Sequence, residues 1–216
     1  MDSIKIFSPS SVANLSCGFD VLGLCLDTIG DEMIIKKSKK PGVRIIKIEG
    51  ENLPLSIEKN VAGVAAKSYL NKFPTEIGIE IEIYKKIKAG SGIGSSAASA
   101  VGAVFGINEL LERDIKKIDL IPFALEGEKL ASGEAHADNI APAMLGGFTL
   151  IRDLKSLDII KLPSPSELVV TIIHPKIELK TSHARAILKT QVPLKNVVKQ
   201  TANIAGLISG LYSNDY

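Results

Sequence analysis

The sequence predicts a two-layer α+β fold. Candidate strands cluster ahead of candidate helices and do not alternate with them one by one, which favours a sheet covered by helices. Hydrophobic residues make up 45% of the chain and aromatic residues only 5%, a composition typical of aliphatic packing between helices and a sheet. With 216 residues, the chain exceeds the roughly 100–150 residues of a common domain. We therefore expect one domain and part of a second.

Each predicted element follows from a local pattern. Strands are expected at Ile4–Ser8, Glu32–Lys36, Val43–Glu49, Gly78–Ile87, Gly147–Arg152 and Leu168–His174. Helices are expected at Asn60–Lys72, Ser95–Leu111, Asp119–Ala131, Ser182–Lys189 and Leu194–Tyr212. Ile79, Ile81 and Ile83 alternate with other residues, the period-two pattern of a strand with one buried face. The small, apolar and proline-free residues 97–111 are typical of a buried helix. Asn60 is suited to cap the first helix.

A proline-rich segment over residues 157–167 predicts a linker. It contains Pro163, Pro165 and two serines, a composition typical of connections between folded units. The implied division is a first domain over residues 1–156 and a second unit over residues 168–216. One strand and two helices are too few for an independent sheet with its covering helices. We therefore expect the second domain to be cut short in this sequence.

The charge balance and the two cysteines exclude several classes of protein. The 26 basic and 24 acidic residues give a net charge of +2, and the basic residues are scattered, so we expect no nucleic-acid partner. Cys17 and Cys25 have no CxxC spacing, and no signal peptide is recognisable, which indicates a reducing compartment without a disulfide or zinc framework. No apolar run approaches the roughly 20 residues that span a bilayer. A cytoplasmic protein is expected.

A glycine-rich turn that leads into small helix-forming residues is the most informative stretch of the chain. Gly90, Gly92 and Gly94 lie between a predicted strand and a predicted helix, and they lack the Cβ atoms that would forbid positive φ or keep a ligand away from the backbone. The first turn of the helix offers unpaired N–H groups, and Ser95 and Ser96 can cap it or bind ligand oxygens. The pattern predicts a phosphate-binding loop, although a tight connection alone would also explain three glycines.

Two better-known phosphate motifs do not fit this loop. The P-loop pattern ends in Gly-Lys-Ser/Thr, whereas Gly94 is followed by Ser95. The dinucleotide pattern needs a glycine at the position of Ser95 and an acidic residue about 20 residues further on. The loop therefore belongs to another class of phosphate site.

Polar segments near the two ends of the chain are further candidates. Residues 8–20 are rich in hydroxyl groups, and Asn14 and Asp20 are the strong hydrogen-bonding side chains there. They could hold a small polar molecule, or they could simply cap an ordinary turn. Thr181 precedes a predicted helix and Arg185 lies one turn into it. That pattern is common on surfaces, but the guanidinium could also clamp a carboxylate or phosphate.

A fourth segment offers oxygen ligands and a histidine. Glu128, near a helix end, could reach a divalent cation, since Mg²⁺ prefers carboxylate and phosphate oxygens. His136, Asp138 and Asn139 are expected in a loop before a proline and paired glycines. Taken alone, His136 is better explained as a structural hydrogen-bonding residue than as a base.

The order of these four segments along the chain, and their approximate separations, resemble those of homoserine kinases of the GHMP kinase superfamily. Residues Asn14–Asp20 are similar to the family's first motif, Gly90–Ser99 to its phosphate-binding motif, and His136–Gly147 to its His-x-Asp-Asn-x-Ala-Pro-x-x-x-Gly-Gly segment. The resemblance implies a GHMP kinase N-terminal domain, like domain 2 of ribosomal protein S5, followed by part of a ferredoxin-like C-terminal domain. The family is longer, and its C-terminal domain supplies a further substrate-binding arginine.

The resemblance also implies an ATP site. The residues it places at the phosphates are Lys88, Ala89, Gly90, Ser91, Gly92, Ile93, Gly94, Ser95, Ser96 and Ala97. Lys88 stands where the family usually has proline, so the entry to the loop is less rigid here. Asn60 is expected near the adenine, and Ser96 and Glu128 are expected to hold Mg²⁺.

The remaining assignments concern the acceptor. Asn14 and Asp20 would lie near the amino and hydroxyl ends of an amino acid, Arg185 near its carboxylate, and Thr181 near the transferring phosphoryl group. Asn139, also a substrate residue, occupies the place of an aspartate in mevalonate and galactose kinases. An amide cannot accept a proton, so the comparison favours catalysis by positioning and electrostatics, with Asn139, Thr181 and Glu128 as the catalytic set.

The resemblance implies ATP-dependent phosphorylation of the L-homoserine hydroxyl in threonine biosynthesis, with ATP and Mg²⁺ as cofactors. A homodimer is left open. Two alternatives remain at this point: another small-alcohol kinase of the superfamily, acting on mevalonate or shikimate, and a non-catalytic nucleotide-binding relative. Asn139 counts against mevalonate, and the presence of both Ser96 and Glu128 counts against the non-catalytic relative.

Overall fold

A single mixed sheet forms the framework of the protein. The computed structural model describes residues 1–133, 135–173 and 185–215. The strands are β1 (Ser3–Ala13), β2 (Leu22–Ser38), β3 (Val43–Glu49), β4 (Gly78–Tyr84), β5 (Phe148–Asp153) and β6 (Asp158–Leu162). They lie in the order β3-β4-β2-β5-β6, and β1 also pairs with β2. Only β3 and β4 are parallel among these pairs; the others are antiparallel.

Helices pack on this sheet. They are α1 (Val61–Lys72), α2 (Ser95–Leu110), α3 (Lys117–Ser132), α4 (Ala137–Leu145) and α5 (Leu194–Ser213). A short 3-10 turn, Ile57–Lys59, precedes α1. In α1 the predicted cap is confirmed, because Asn60 Oδ1 accepts a hydrogen bond from the backbone N–H of Ala62. The two-layer α+β fold expected from the sequence is therefore present over the first three quarters of the chain.

The main core lies between the sheet and helices α1 to α4. Ile79, Ile81 and Ile83 of β4 are fully buried, as their alternation predicts. Helix α2 lies unusually close to the sheet, because a Cβ at Gly102 would be 2.7 Å from Met33 Sδ. This close packing fixes the position of the first turn of α2, the turn that follows the glycine-rich loop. A smaller cluster joins the end of α5 to β2, β5 and β6.

Two strands are longer than predicted, β1 at its end and β2 at its start. Strand β1 continues through Ala13, beyond the predicted Ile4–Ser8, because a shift in register between Pro9 and Ser10 accommodates the proline. Strand β2 spans 17 residues and begins well before the predicted Glu32–Lys36. Its first half has Leu22, Leu24 and Leu26 at every second position, but Gly23 and Cys25 between them are not strongly polar, so the alternation of apolar and polar residues is weak there.

Predictions near the end of the chain need more correction. Within residues 157–167, predicted as a linker, Asp158–Leu162 form β6 and pair antiparallel with β5; the nearby prolines and serines masked this strand. The strand predicted at Leu168–His174 is wrong over residues 168–173, which form no strand, and His174 lies outside the described residues. Within the predicted helix Ser182–Lys189, Arg185 and Ala186 are helical and residues 187–189 are not.

The loop predicted around His136 is instead the start of helix α4. His136 has extended backbone angles and stands at the N-cap position, and the helix runs through Pro142 to Leu145. Pro142 is the sixth of the nine residues of this helix, a position at which proline is uncommon because it removes a backbone hydrogen bond. No helix within the described ranges is both long and apolar enough to cross a membrane.

Candidate active site

The glycine-rich loop connects β4 to α2, as predicted. Gly90, Gly92 and Gly94 all have positive φ, at 72°, 77° and 68°, a region that L side chains rarely adopt. A Cβ at Gly94 would overlap Ser11 Oγ, whereas a Cβ at Gly92 would meet nothing within 4 Å. The glycines therefore serve two purposes: Gly94 permits close packing on β1, and Gly92 leaves open space at the tip of the loop.

Hydrogen bonds hold both sides of the loop. The Ser95 hydroxyl donates to the carbonyl of Ile87 over 3.0 Å, which ties the two ends of the loop together. The hydroxyl of Ser10 and the backbone N–H of Ser11 both donate to the carbonyl of Ile93. The Ser91 hydroxyl oxygen is buried and has no hydrogen-bond partner among the described residues, a condition that a ligand oxygen would relieve.

Ser96 and Glu128 meet at the first turn of α2. The Ser96 hydroxyl donates to Glu128 Oε2 over 2.8 Å, across from α3. Burial raises the pKa of Glu128 to about 7, more strongly than the Ser96 hydrogen bond lowers it, and the nearby Asp138 raises it further. The described residues contain no group of three or more His, Cys, Asp or Glu side chains placed to hold a metal ion. A hard cation at this pair would therefore need phosphate oxygens to complete its ligand shell, which is the usual arrangement for Mg²⁺.

Asn139 lies beside the loop, in the first turn of α4. Its Oδ1 accepts a hydrogen bond from the Ser11 hydroxyl over 2.9 Å, and a Cβ at Gly94 would be 3.0 Å from the same oxygen. The structure thus places Asn139, which is predicted to bind the amino-acid substrate, against the predicted phosphate loop.

Asp20 and Arg185 form a bidentate ion pair, although 165 positions separate them in the sequence. The pair is partly buried, with 34% of the Asp20 side chain and 27% of the Arg185 side chain exposed. The guanidinium lies 5.3 Å from the centre of the Phe19 ring, and its Nη2 is 3.3 Å from His136 Nδ1. One cation and one anion, each held by neighbours, are suited to the two charges of an amino acid.

Asn14 lies in the same turn as Asp20. Its Oδ1 accepts a hydrogen bond from the backbone N–H of Asp20 over 2.8 Å, as expected of the capping alternative. Asn14, Ser16 and Asp20 all have positive φ, between 50° and 61°, which is costly for residues with side chains. The turn is therefore held in an uncommon conformation that presents the Asp20 carboxylate towards Arg185.

Asp138 is a candidate that the sequence indicated only as part of a polar cluster. Its side chain is buried, its Oδ1 has no hydrogen-bond partner among the described residues, and its backbone carbonyl packs where a Cβ on Gly23 would be. Burial raises the pKa of Asp138, and the nearby Asp20 raises it further, while His136 and Arg185 lower it. No local signal distinguished it, because an aspartate in the first turn of a helix is common and is stabilised there by the helix dipole.

The remaining predicted residues fall into three groups. Lys88 and Ala89 lie exposed at the start of the loop, and Ala97 is buried in α2. Asn60 is buried, and its amide also donates to the carbonyl of Pro54 over 2.8 Å, so both ends of that side chain bind the protein. Contact of Asn60 with adenine stays a prediction. Thr181 lies outside the described residues.

Comparison with known proteins gives a consistent result. The model of the GHMP kinases N terminal domain matches residues 59–147. Proteins named homoserine kinase from Chlorobium phaeobacteroides and Methanococcus vannielii are each 42% identical to the chain, over 100% of it and 71% of their own length. The crystal structure of homoserine kinase from Cytophaga hutchinsonii is 51% identical with a TM-score of 0.94, over 100% of this chain and 69% of that one.

More distant structures share the fold alone. A crystal structure of mevalonate kinase is 18% identical over 74% of this chain, with a TM-score of 0.59. The glycine-rich loop, the Ser96–Glu128 pair and the close relatives lead to the same assignment: the chain belongs to the homoserine kinases of the GHMP kinase family.

Proposed function

We propose that the protein transfers the γ-phosphoryl group of ATP to the side-chain hydroxyl of L-homoserine, giving O-phospho-L-homoserine and ADP in threonine biosynthesis. One observation carries the proposal. Asn139 contacts the phosphate loop on one side, and its neighbours His136 and Asp138 lie beside the Asp20–Arg185 pair on the other. A nucleotide site and an amino-acid site therefore share a border. The close relatives named homoserine kinase support the same reaction.

On the nucleotide side, the loop supplies the binding groups. Positive φ at Gly90, Gly92 and Gly94 would let backbone N–H groups of the loop turn towards a bound anion, the arrangement that binds phosphate oxygens. The N-terminus of α2 adds the positive end of its dipole. The buried Ser91 hydroxyl is a further donor for a phosphate oxygen. These groups would stabilise the negative charge that develops during transfer.

Mg²⁺ fits the donor set at Ser96 and Glu128. A hydroxyl and a carboxylate oxygen 2.8 Å apart, at the helix end that faces the loop, match the hard oxygen ligands that the ion prefers. When bound, Mg²⁺ would neutralise charge on the phosphates. The Glu128 carboxyl must lose its proton to become a ligand, so its raised pKa makes cation binding depend on pH near 7.

On the amino-acid side, charge determines orientation. Asp20 would bind the ammonium group and Arg185 the carboxylate, so each would exchange its present partner for a group of the substrate. Asn14 holds Asp20 through its backbone, and direct contact of Asn14 with the substrate stays a prediction, as does the role of Thr181. Asn139 would orient the hydroxyl, whose oxygen forms a bond to the γ-phosphorus while the bond to the bridging oxygen of ADP breaks and the hydroxyl proton passes to an oxygen of the transferred phosphoryl group. The amide of Asn139 cannot accept the hydroxyl proton, so its contribution is orientation.

Several coarser features accompany this reaction. We propose the division into residues 1–156, a connection over 157–167 and a second unit over 168–216, with β6 joining the connection to the first sheet. A ferredoxin-like fold for the second unit, a cytoplasmic location and a homodimer stay predictions.

Substrate choice tests the proposal. The protein is expected to phosphorylate L-homoserine at least about 100-fold better in kcat/KM than 4-hydroxybutyrate, because the analogue leaves the Asp20 carboxylate without its ammonium partner. A coupled assay of ADP release measures both, together with mevalonate and shikimate. Asp20→Asn should lower kcat/KM for homoserine alone and so reduce the ratio between the two substrates. Asp27→Asn, a change at an exposed aspartate of β2, should leave this ratio unchanged. Equal kcat/KM for homoserine and 4-hydroxybutyrate in the unmodified protein would contradict the assignment.

A further inference from the structure

Behind the phosphate loop lies a buried ion pair that the proposed reaction does not use. The ammonium group of Lys85 contacts the Asp31 carboxylate, and 1% and 0% of the two side chains are exposed. Lys85 directly follows β4, whereas Asp31 lies in the middle of β2. Charges are rarely buried this completely, because both must give up water, and a well-packed apolar pair of similar size is often at least as stable. Stability alone therefore does not explain the pair.

The ion pair belongs to a network in which the ammonium group and both carboxylate oxygens are engaged. Lys85 Nζ also donates to the carbonyl of Ser95 over 3.1 Å and to the hydroxyl of Ser99 over 3.0 Å, so its three protons have three acceptors. Asp31 Oδ1 accepts from the backbone N–H groups of Lys86 and Ile87 over 2.7 and 3.0 Å, while its Oδ2 binds Lys85. The directions of these bonds are fixed by atoms on three different elements.

Two of those elements, the end of β4 and the start of α2, lie on either side of the phosphate loop. The network forms hydrogen bonds with residues 85–87, just before the loop, and with Ser95 and Ser99, at the start of α2. Between these two anchors lie Gly90, Gly92 and Gly94, and the carbonyl of Ile93 joins that stretch to β1. Charge-assisted hydrogen bonds are shorter and more directional than neutral ones. The network therefore sets how far the backbone N–H groups of the loop stand from the sheet.

We propose that Lys85 and Asp31 are positioning residues for ATP: they hold the two ends of the phosphate loop at the spacing that the triphosphate of ATP requires. The inference rests on the proposed function, because it takes the loop to be the phosphate site. It predicts a selective defect. Groups that bind phosphates lose their alignment without the pair, whereas the Asp20–Arg185 site, on other elements, keeps its geometry.

The test compares ligands with and without phosphates. Lys85→Met combined with Asp31→Asn removes both charges and keeps an amide oxygen for the N–H groups of Lys86 and Ile87. In this double variant the Kd of ATP is expected to rise at least about tenfold, which corresponds to about 1.4 kcal/mol. The Kd of adenosine and the KM of L-homoserine are expected to stay within about twofold. Calorimetry gives both Kd values, and the ADP-release assay gives KM.

A matched control separates positioning from general loss of stability. Tyr69→Phe removes a buried hydrogen bond to Asn108 of 3.0 Å between α1 and α2, away from the loop. It is expected to lower the melting temperature while leaving the Kd values of ATP and adenosine unchanged. If the double variant does not fold, Ser99→Ala replaces it: this change removes one acceptor of Lys85, keeps both charges, and is expected to raise the Kd of ATP about two- to fivefold.

The possible results either support or overturn the positioning role of Lys85 and Asp31. A selective loss of ATP affinity supports the positioning role. Unchanged ATP affinity in a folded variant overturns it, and so does an equal loss for ATP and adenosine, since that would show a general deformation of the site. If the unmodified protein binds adenosine but not ATP, the proposed function fails at its first step, and this result is visible before any variant is made.

Discussion

Gly92→Val is expected to abolish ATP binding while the protein stays folded. Gly92 has a φ of 77°, and a Cβ there would meet nothing within 4 Å. The new side chain would therefore stand in the open space where phosphate oxygens approach the loop. The strain of a β-branched residue at this φ costs about 1–3 kcal/mol, which a domain with an extensive core tolerates. Calorimetric titration with ATP should show a loss of at least about 100-fold in affinity.

Gly42→Val is the matched control for this experiment. Gly42 also has a positive φ, 89°, and open space around the position of a Cβ, but it lies in the turn between β2 and β3. It should show the same small loss of stability and unchanged ATP affinity. If Gly92→Val folded and bound ATP like the unmodified protein, the loop would not be the phosphate site.

Glu128→Gln is expected to lower turnover by about two to three orders of magnitude, a loss typical for an electrostatic group at a transferring phosphoryl centre. The amide keeps the shape of the side chain and can still accept from Ser96, but it supplies no charge to a cation. Turnover titrated against Mg²⁺ should require much higher concentrations in the variant. Glu126→Gln, at an exposed position of the same helix that pairs with Lys129, should change neither value.

The same substitution should raise stability at alkaline pH. The pKa of Glu128 is about 7 in the folded protein and near 4.5 in the unfolded chain. Between pH 4.5 and pH 7 the folded protein therefore holds a proton on Glu128 that the unfolded chain has lost. Its contribution to stability is complete below pH 4.5 and is lost as the pH rises through 7. At pH 8 Glu128→Gln should therefore be more stable than the unmodified protein by roughly 1–3 kcal/mol, and at pH 4 the two should differ little. Thermal melts at both values measure this.

An activity unchanged in Glu128→Gln, with the same Mg²⁺ requirement, would assign the cation elsewhere. A stability difference of the same size at pH 4 and pH 8 would contradict the raised pKa.

The glycine-rich loop was predictable because its signal is local. Alternating isoleucines, three glycines and a run of small residues define strand, turn and helix between Gly78 and Leu110, and the structure confirms all three, although β4 ends at Tyr84, before the predicted Ile87. The exact match of β3 to Val43–Glu49 has the same cause. Where one segment carries its own pattern, tertiary contacts only reinforce it.

Other parts depend on distant partners and were missed. Helix α4 contains Pro142, and its formation reflects packing of residues such as Ile140 and Ala141 in the main core, which no local pattern reveals. The pairing of Asp20 with Arg185 and that of Lys85 with Asp31 both join charged residues far apart in sequence. Each residue alone looks like an ordinary surface charge, so only the folded chain shows that they meet.

The distance along the chain between contacting residues has a consequence for synthesis on the ribosome. The ties of the phosphate loop to β1 join positions 83 residues apart, and Glu128 completes its cation pair soon afterwards. The amino-acid pair needs Arg185, which is 165 residues beyond Asp20. Because a chain emerges from its N-terminus, the pocket for the phosphoryl donor can assemble while the clamp for the acceptor is still being translated. In a nascent chain the site for ATP would thus form before the site for the amino acid.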